Sequence, residues 1–181
     1  MKILAFGASN SRTSMNKKLA SYSARKIASW HDNNANISIL DLNDFEMPLY
    51  SIERNEEIGE YPLAIKFLDN IANTDLLIIS FAEHNGIYTV AFKNIIDWCS
   101  RIRRDIFQNK NMILLAASVG PSGGSNVLSF AEQSMPHFGG IVKGTFSIAK
   151  FQDEFDDDKQ SLHNQSVANA LEKMLKNAIQ S

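Results

Sequence analysis

The amino-acid sequence predicts a doubly wound α/β fold, with a five-stranded parallel sheet covered by helices on both faces. Short apolar runs recur along the chain, as is typical of strands that are buried on both faces. Segments of helical length with an apolar stripe separate these runs. This alternation implies right-handed crossovers between parallel strands. The length of 181 residues fits a single domain, which we expect to span 1–181.

Five apolar runs are the candidate strands. The first ends at Gly7, and the second is the weakest because polar residues interrupt it. The runs cover 3–6, 37–40, 76–79, 112–117 and 141–149. We expect the strand order 2-1-3-4-5.

Five helices are predicted between and after these strands. Pro62 suits the first turn of the second helix. The helices are expected at 16–30, 61–71, 88–102, 125–138 and 162–179. The acidic segment 152–159 (QDEFDDDK) is interpreted as a solvated loop before the last helix, because acids favour a helix N-terminus. A divalent-metal site is the less favoured alternative, since the carboxylates lack the spacing of a calcium loop.

Composition narrows the functional classes. The net charge of −2 gives no basic footprint for nucleic acid, and no stretch is long and apolar enough for a membrane span. Cys99 is the only cysteine, so no intrachain disulfide can form. The four histidines show no metal-ligand spacing. We therefore expect a cytoplasmic protein without a resident metal and without a nucleic-acid or membrane partner.

Three polar or glycine-rich loops follow the first, third and fourth strands. They are GASNSRTSMN (7–16), FAEHNG (81–86) and SVGPSGG (118–124). In an open parallel sheet, ligands bind beyond the carboxyl ends of the strands where the strand order reverses. That point lies between the first and third strands, so the three loops are expected to form one site.

The first loop has the composition of an anion site. Its hydroxyl and amide groups precede a helix whose first N–H groups have no partner within the helix. Lys17 and Lys18 in the first turn oppose the helix dipole, and an anion would remove that conflict. A simple N-cap at Ser14 is the alternative. The candidate phosphate-binding residues are Ser9, Ser11, Arg12, Ser14, Met15 and Asn16.

The other two loops are candidates for the rest of a nucleotide. The first loop has neither a GK[ST] nor a GxGxxG motif, which favours a mononucleotide such as FMN at this switch point. Asn85 and Gly86 suit positive φ, although a plain turn explains them equally well. His84 is either a proton donor or, as is more common for a loop histidine, a surface residue. The candidates here are Phe81, Ala82, Glu83, His84, Asn85, Gly86, Ser118, Gly120, Gly123 and Gly124.

These motifs resemble the NAD(P)H-dependent FMN reductase family of flavodoxin-like flavoproteins, which includes quinone, azo-dye and chromate reductases. GASNSRTSMNKKLA is similar to the family's phosphate loop, AEHNGIYTVAFKNIIDW to its PEYN…LKNAIDW segment, and SVGPSGGS to its third loop. Ala82 and His84 stand where the family usually has Pro and Tyr. Tyr88, Thr89 and Val90 replace the small residue and Pro that usually precede LKN.

The resemblance implies a function and a set of partners. FMN would receive hydride from NADPH or NADH and pass two electrons to a quinone-like, azo, flavin or metal-oxyanion acceptor. No side chain need act as acid or base, because the cofactor carries the redox chemistry. The resemblance also implies a homodimer or homotetramer, with the helix that contains Phe92 and Trp98 near the partner.

Two other functions are compatible with the residues. One is a flavodoxin-like FMN electron carrier without nicotinamide activity, which strong acidity around the flavin would favour. The other is a phospho-ligand or regulatory domain that binds no flavin. A response-regulator receiver is disfavoured, because the first strand ends in FGAS without an acidic pair.

Overall fold

The computed structural model describes residues 1–31 and 35–180. The five strands of the main sheet are β1 (Lys2–Ala8), β2 (Asn36–Leu40), β3 (Leu76–Phe81), β4 (Lys110–Ala117) and β5 (Gly140–Ile148). The helices are α1 (Met15–Ser29), α2 (Ile52–Ile58), α3 (Pro62–Ala72), α4 (Val90–Ile102), α5 (Ser125–Ser134), α6 (Phe151–Glu154) and α7 (Gln165–Gln180). Two short strands, β6 (Phe155–Asp156) and β7 (Ser161–Leu162), form a hairpin.

The main sheet is parallel throughout and has the order β2-β1-β3-β4-β5. The predicted flavodoxin-like fold and strand order are therefore confirmed. The central strands β1, β3 and β4 are almost wholly buried, which explains why they read as unbroken apolar runs. The edge strand β2 is largely exposed, and its weaker apolar pattern reflects that position.

Two hydrophobic cores lie on the two faces of the sheet. On one face, α3, α4 and α5 pack around large aromatic residues that include Phe6, Phe67 and Trp98. On the other face, α1 and α7 pack with the β6–β7 hairpin around Leu19, Ile27 and Leu171. The result is the expected three-layer arrangement.

Gly7 sets the distance between β1 and the helix that follows it. A Cβ atom at Gly7 would lie 2.4 Å from the backbone nitrogen of Lys17 and 2.9 Å from the carbonyl carbon of Asn16. Only glycine allows so close an approach of helix to strand. The first turn of α1 therefore lies directly beside the carboxyl end of β1.

Three parts of the chain differ from the sequence-based expectation. Helix α2 was not predicted; it has no buried residue, so it shows no apolar stripe, and Ser51 caps it through a bond from the Arg54 N–H. The acidic segment 152–159 is not simply a solvated loop. It forms α6 and part of the β6–β7 hairpin, and it is anchored by buried Phe151 and Phe155, which stack with ring centroids 4.9 Å apart.

The predicted helix at 125–138 ends earlier than expected. Its last four residues, Met135–Phe138, form a 3₁₀ turn that contains Pro136. Among the described helices, none combines the length and apolar character that a membrane crossing requires.

Candidate active site

The three predicted loops meet at a cleft of about 330 Å³ beyond the carboxyl ends of β1, β3 and β4. The cleft brings together residues from each loop and one residue from α6. Of the candidates, it is lined by Ser9, Ser11, Ser14, Met15, Asn16, Ala82, Glu83, His84 and Ser118. Its size falls within the range of small-molecule sites.

The N-terminus of α1 opens into this cleft. Ser14 is the N-cap: its Oγ accepts a hydrogen bond from Lys17 N–H at 3.2 Å, and its carbonyl oxygen accepts one from Lys18 N–H. Among the described hydrogen bonds, none involves the N–H of Met15 or Asn16, which line the cleft. The helix start thus combines a side-chain cap with free N–H groups that suit an anion.

The two lysines of the first turn do not need an external anion. Lys17 Nζ lies 2.6 Å from Asp41 Oδ2, and Lys18 Nζ lies 2.6 Å from Asp157 Oδ1. Lys17 lowers the pKa of Asp41 by donating this hydrogen bond, with further bonds from Asn43 in the same direction. The premise that these lysines lack a charged partner was therefore wrong, because carboxylates distant in sequence pair with them, and phosphate binding at this loop stays a prediction.

The side chain of Asn16 is a buried bridge between neighbouring strands. Its Oδ1 accepts hydrogen bonds from Ser80 Oγ at 2.7 Å and from Ala117 N–H at 2.9 Å, and its Nδ2 donates to the Ala117 carbonyl at 3.0 Å. The side chain ties the start of α1 to β3 and β4. The sequence did not predict this bridging role, and contact of Asn16 with a phosphate stays a prediction.

The second loop is a tight hairpin turn. His84 and Ile87 exchange two backbone hydrogen bonds, and Asn85 and Gly86 have φ of 54° and 84°, as predicted from their sequence. Ala82, Glu83 and His84 line the cleft. The exposed turn residues Asn85 and Gly86 do not line it.

Two other candidates of the second loop, Phe81 and Glu83, contact residues of the protein itself. Phe81 is fully buried and stacks on Tyr88 with ring centroids 5.3 Å apart, so its side chain belongs to the core. Glu83 Oε2 accepts a hydrogen bond from Val127 N–H at 2.9 Å, at the start of α5. A carboxylate is favourable at a helix N-terminus, and Glu83 joins the second loop to α5, the helix that follows the third loop.

The glycines of the third loop shape the backbone behind the cleft. Gly123 and Gly124 have positive φ, and a Cβ at Gly123 would lie 3.0 Å from the Ala149 nitrogen at the end of β5. Gly120 accepts hydrogen bonds from Ser118 Oγ and Lys150 N–H through its carbonyl oxygen. None of the three glycines lines the cleft, and neither does Arg12.

Four cleft residues were outside the candidate set. They are Thr13, Ala117, Val119 and Gln152. Thr13 and Val119 belong to the predicted loops, so loop membership was sufficient to find them. Gln152 comes from the acidic segment, and its position depends on how β5 turns into α6, for which the sequence carries no signal.

The residues AFKNIIDW (91–98), from the second of the three family-like segments, lie in α4 and hold the chain segment 47–50 against that helix. Asn94 Oδ1 accepts from Tyr50 N–H, and Asn94 Nδ2 donates to the carbonyls of Met47 and Pro48. Trp98 Nε1 also donates to the Pro48 carbonyl, at 2.8 Å. Phe92 and Trp98 are both fully buried, so these aromatics are core residues rather than an exposed surface for a partner.

Two titratable side chains, Cys99 and Tyr88, are buried outside the cleft. Burial raises the pKa of the Cys99 thiol to about 12, so it is no nucleophile at neutral pH. Burial likewise raises the pKa of Tyr88 to about 12. Within residues 1–31 and 35–180, no group of three or more His, Cys, Asp or Glu could hold a metal ion.

Comparisons with known proteins agree with this architecture. The chain is similar to the "Uncharacterized protein MG342 homolog" of Mycoplasma pneumoniae, with 28% identity over 156 residues, 81% of this chain and 86% of that protein. It is similar in fold to the NAD(P)H:(acceptor) oxidoreductase FerB from Paracoccus denitrificans, with a TM-score of 0.76, 19% identity and coverage of 99% and 95% of the two chains. The structure of the apo form of the NADH:FMN oxidoreductase EMOB is also similar in fold, with a TM-score of 0.70 and 19% identity, and the match covers 99% of this chain and 89% of that chain.

The match to a family is more specific than these likenesses. Residues 1–153, which include all three loops and the whole main sheet, match the family described as NADPH-dependent FMN reductase. That family comprises oxidoreductases that use FMN and a reduced nicotinamide. The chain is a member of the NADPH-dependent FMN reductase family.

Proposed function

We propose that the chain binds FMN in the cleft between the three loops and uses NADPH or NADH to reduce a small-molecule acceptor. The N–H groups of Met15 and Asn16 at the start of α1 would hold its phosphate. Ser9, Ser11 and Thr13, which carry hydroxyl groups, line the same cleft. One observation carries this proposal. The N-terminus of α1 opens into a cleft at the switch point of the sheet, and its first turn contains no acidic residue.

The flavin ring is assigned to the space beside the second and third loops. Ala82, His84 and Val119 supply small, aromatic and apolar surface there. The hairpin at 84–87 and the Glu83 bond to α5 hold these walls in place before any ligand arrives. Preformed walls reduce the ordering cost of binding.

The residues of the chain would bind and orient FMN, and the bound FMN would supply the hydride-transfer and electron-transfer chemistry. Asn16 fixes the helix start against β3 and β4, so that the phosphate and ring positions keep a constant separation. No titratable side chain is assigned a proton-transfer step. Any proton that the acceptor needs beyond the transferred hydride would come from solvent.

Spectroscopy on the purified protein tests the proposal. We expect oxidised-flavin absorbance after loading with FMN, and anaerobic bleaching by NADPH or NADH in a stoichiometric amount. Restoration of the colour by a quinone shows turnover. A flavin that binds but is not bleached by either nicotinamide would indicate an electron carrier instead, and a protein that takes up no FMN would indicate a phospho-ligand domain.

The oligomeric state remains a prediction from the family resemblance. We propose a homodimer or homotetramer, which light scattering coupled to size exclusion measures directly. A monomeric mass at micromolar concentration would contradict it without affecting the flavin assignment.

A further inference from the structure

A groove of about 730 Å³ lies between α4 and α5, on the face of the sheet that α3, α4 and α5 cover. This α4–α5 groove has more than twice the volume of the cofactor cleft, and no residue lines both spaces. A volume of this size suits a small molecule. The groove is therefore a second candidate site, separate from the one described above.

Aromatic rings form the floor of the groove. Tyr88 is 8% exposed and packs edge to face against Phe130, with ring centroids 5.1 Å apart. Phe130 is 42% exposed, so part of its ring remains open. The hydroxyl group of Tyr88 lies 2.6 Å from Ser134 Oγ, which joins this floor to α5. Rings that are held in this way offer a firm apolar surface to the ring of a ligand.

The lining of the groove carries an excess of positive charge. Lys93, Arg101 and Arg104 line it, whereas Asp97 is the only carboxylate among the lining residues. Lys93 Nζ lies 2.6 Å from Asp97 Oδ1, so these two charges neutralise each other. The two arginines remain, in a chain whose net charge is −2. The local charge of the groove is thus opposite in sign to that of the whole chain.

Neither arginine is paired with a carboxylate within residues 1–31 and 35–180. Arg101 donates a hydrogen bond to Ser100 Oγ, and its guanidinium lies 5.6 Å from the centroid of the Tyr50 ring. The side chain of Arg104 is exposed. A guanidinium can donate two parallel hydrogen bonds to one carboxylate. The groove therefore combines an aromatic floor with two guanidinium groups that lack an acidic partner.

We propose that the α4–α5 groove binds a small aromatic carboxylate, with its ring against Tyr88 and Phe130 and its carboxylate on Arg101 and Arg104. A neutral aromatic compound would cover the floor but would leave the guanidinium groups unpaired. An inorganic anion would pair with the guanidinium groups but would leave the rings exposed to water. The inference goes beyond the proposed FMN function and does not rest on it, because the groove and the cleft share no residue.

Calorimetric titration of the purified protein compares 2-naphthoate with 2-naphthamide, which has the same ring system and no charge. We expect 2-naphthoate to bind about tenfold more tightly at low ionic strength, because hydrogen bonds between charged groups are the stronger ones. Added salt should weaken the binding of 2-naphthoate and leave that of 2-naphthamide nearly unchanged. Equal affinities, or no measurable binding of 2-naphthoate at millimolar concentration, would overturn the proposal.

Two variants locate the binding site. Arg104→Gln removes one guanidinium and should weaken 2-naphthoate binding by about fivefold, while the affinity for 2-naphthamide changes by less than about twofold. Phe130→Ser removes the open ring and should weaken the binding of both ligands by about fivefold. Both side chains are exposed, so we expect both variants to fold. If neither change alters either affinity, the ligands bind elsewhere and the proposal is wrong.

Arg25→Gln is the matched control for the arginine variant. Arg25 is exposed on α1, which packs on the other face of the sheet, so this variant should bind both ligands as the unaltered protein does. Light scattering on the same samples tests for a different occupant. If Arg104→Gln or Phe130→Ser dissociates an oligomer, a second copy of the chain fills the groove and the assignment to a small anion fails. An unchanged mass together with the expected affinities supports the small ligand.

Discussion

The side chain of Asn16 pairs with the backbone of Ala117 in the manner of a neighbouring strand. Its Nδ2 donates to the Ala117 carbonyl at 3.0 Å, and its Oδ1 accepts from the Ala117 N–H at 2.9 Å. A residue of the first loop thereby completes the hydrogen bonding of β4 at the edge of the cleft. The position of the helix start depends on this pairing.

Replacement of Asn16 should therefore destabilise the protein and weaken FMN binding together. Asn16→Ala leaves the buried Ala117 N–H and carbonyl and the Ser80 hydroxyl without this partner, at a cost of about 3 kcal/mol in the free energy of unfolding. Urea denaturation and FMN titration measure the two effects. Asn169→Ala, at an exposed position of α7, is the control and should change neither; an Asn16→Ala protein as stable as the unaltered chain would contradict the bridging role.

Gly7→Ala should be disruptive despite its small size. The added methyl group would lie 2.4 Å from the Lys17 nitrogen, a backbone atom that moves only if α1 moves. We expect a loss of about 1–3 kcal/mol in the free energy of unfolding and weaker FMN binding. Gly120→Ala is the matched control, because a Cβ there finds its first neighbour at 3.9 Å; equal stability of the two variants would show that α1 adjusts freely.

Thr89 joins the end of β1 to the start of α4 by its hydroxyl. Thr89→Val keeps the shape but removes the bond to the Ala8 carbonyl and the cap on Phe92 N–H, so we expect a loss of about 1–2 kcal/mol. Thr89→Ser retains the hydroxyl and should lose much less. Thermal or urea unfolding that ranks the serine variant below the valine variant would refute this reading.

The Lys17–Asp41 pair should contribute a pH-dependent part of the stability. The pKa of Asp41 is lowered in the folded protein, chiefly by the Lys17 hydrogen bond, so its contribution is present above the unfolded pKa of about 3.9 and disappears as pH falls through the lower folded pKa. Asp41→Asn should be less stable than the unaltered protein at neutral pH.

Urea midpoints measured at decreasing pH test this sign. The difference between Asp41→Asn and the unaltered protein should shrink as the solution becomes acidic. Asp44→Asn is the control in the same turn, since Asp44 makes no ion pair within the described chain. A difference that grows with acidity would contradict the assignment.

The sequence predicted the sheet and the meeting of the loops because both follow from local patterns. Buried parallel strands such as β3 and β4 read as continuous apolar runs, and the carboxyl ends of parallel strands necessarily lie at one edge. The Asn85–Gly86 turn was equally accessible, because positive φ is a property of those residue types.

The parts that escaped prediction depend on contacts between distant residues. Asp41 pairs with Lys17 from 24 positions away, and Asp157 pairs with Lys18 from 139 positions away. The composition of the loop alone therefore suggested that these lysines have no charged partner. The role of Asn16 depends on Ala117, 101 positions along the chain. Helix α2 was missed for a different reason, because a short helix without a buried face has no apolar stripe to detect.

The most direct test of the central claim is the ratio of the affinities of the apoprotein for FMN and riboflavin, which differ only by the phosphate. If the phosphate binds at the start of α1, FMN should bind much more tightly than riboflavin. Ser11→Glu, which adds a negative charge beside that helix start, should remove most of this preference. Equal affinity for the two flavins, or a preference that Ser11→Glu leaves intact, would show that the phosphate is not held where we propose.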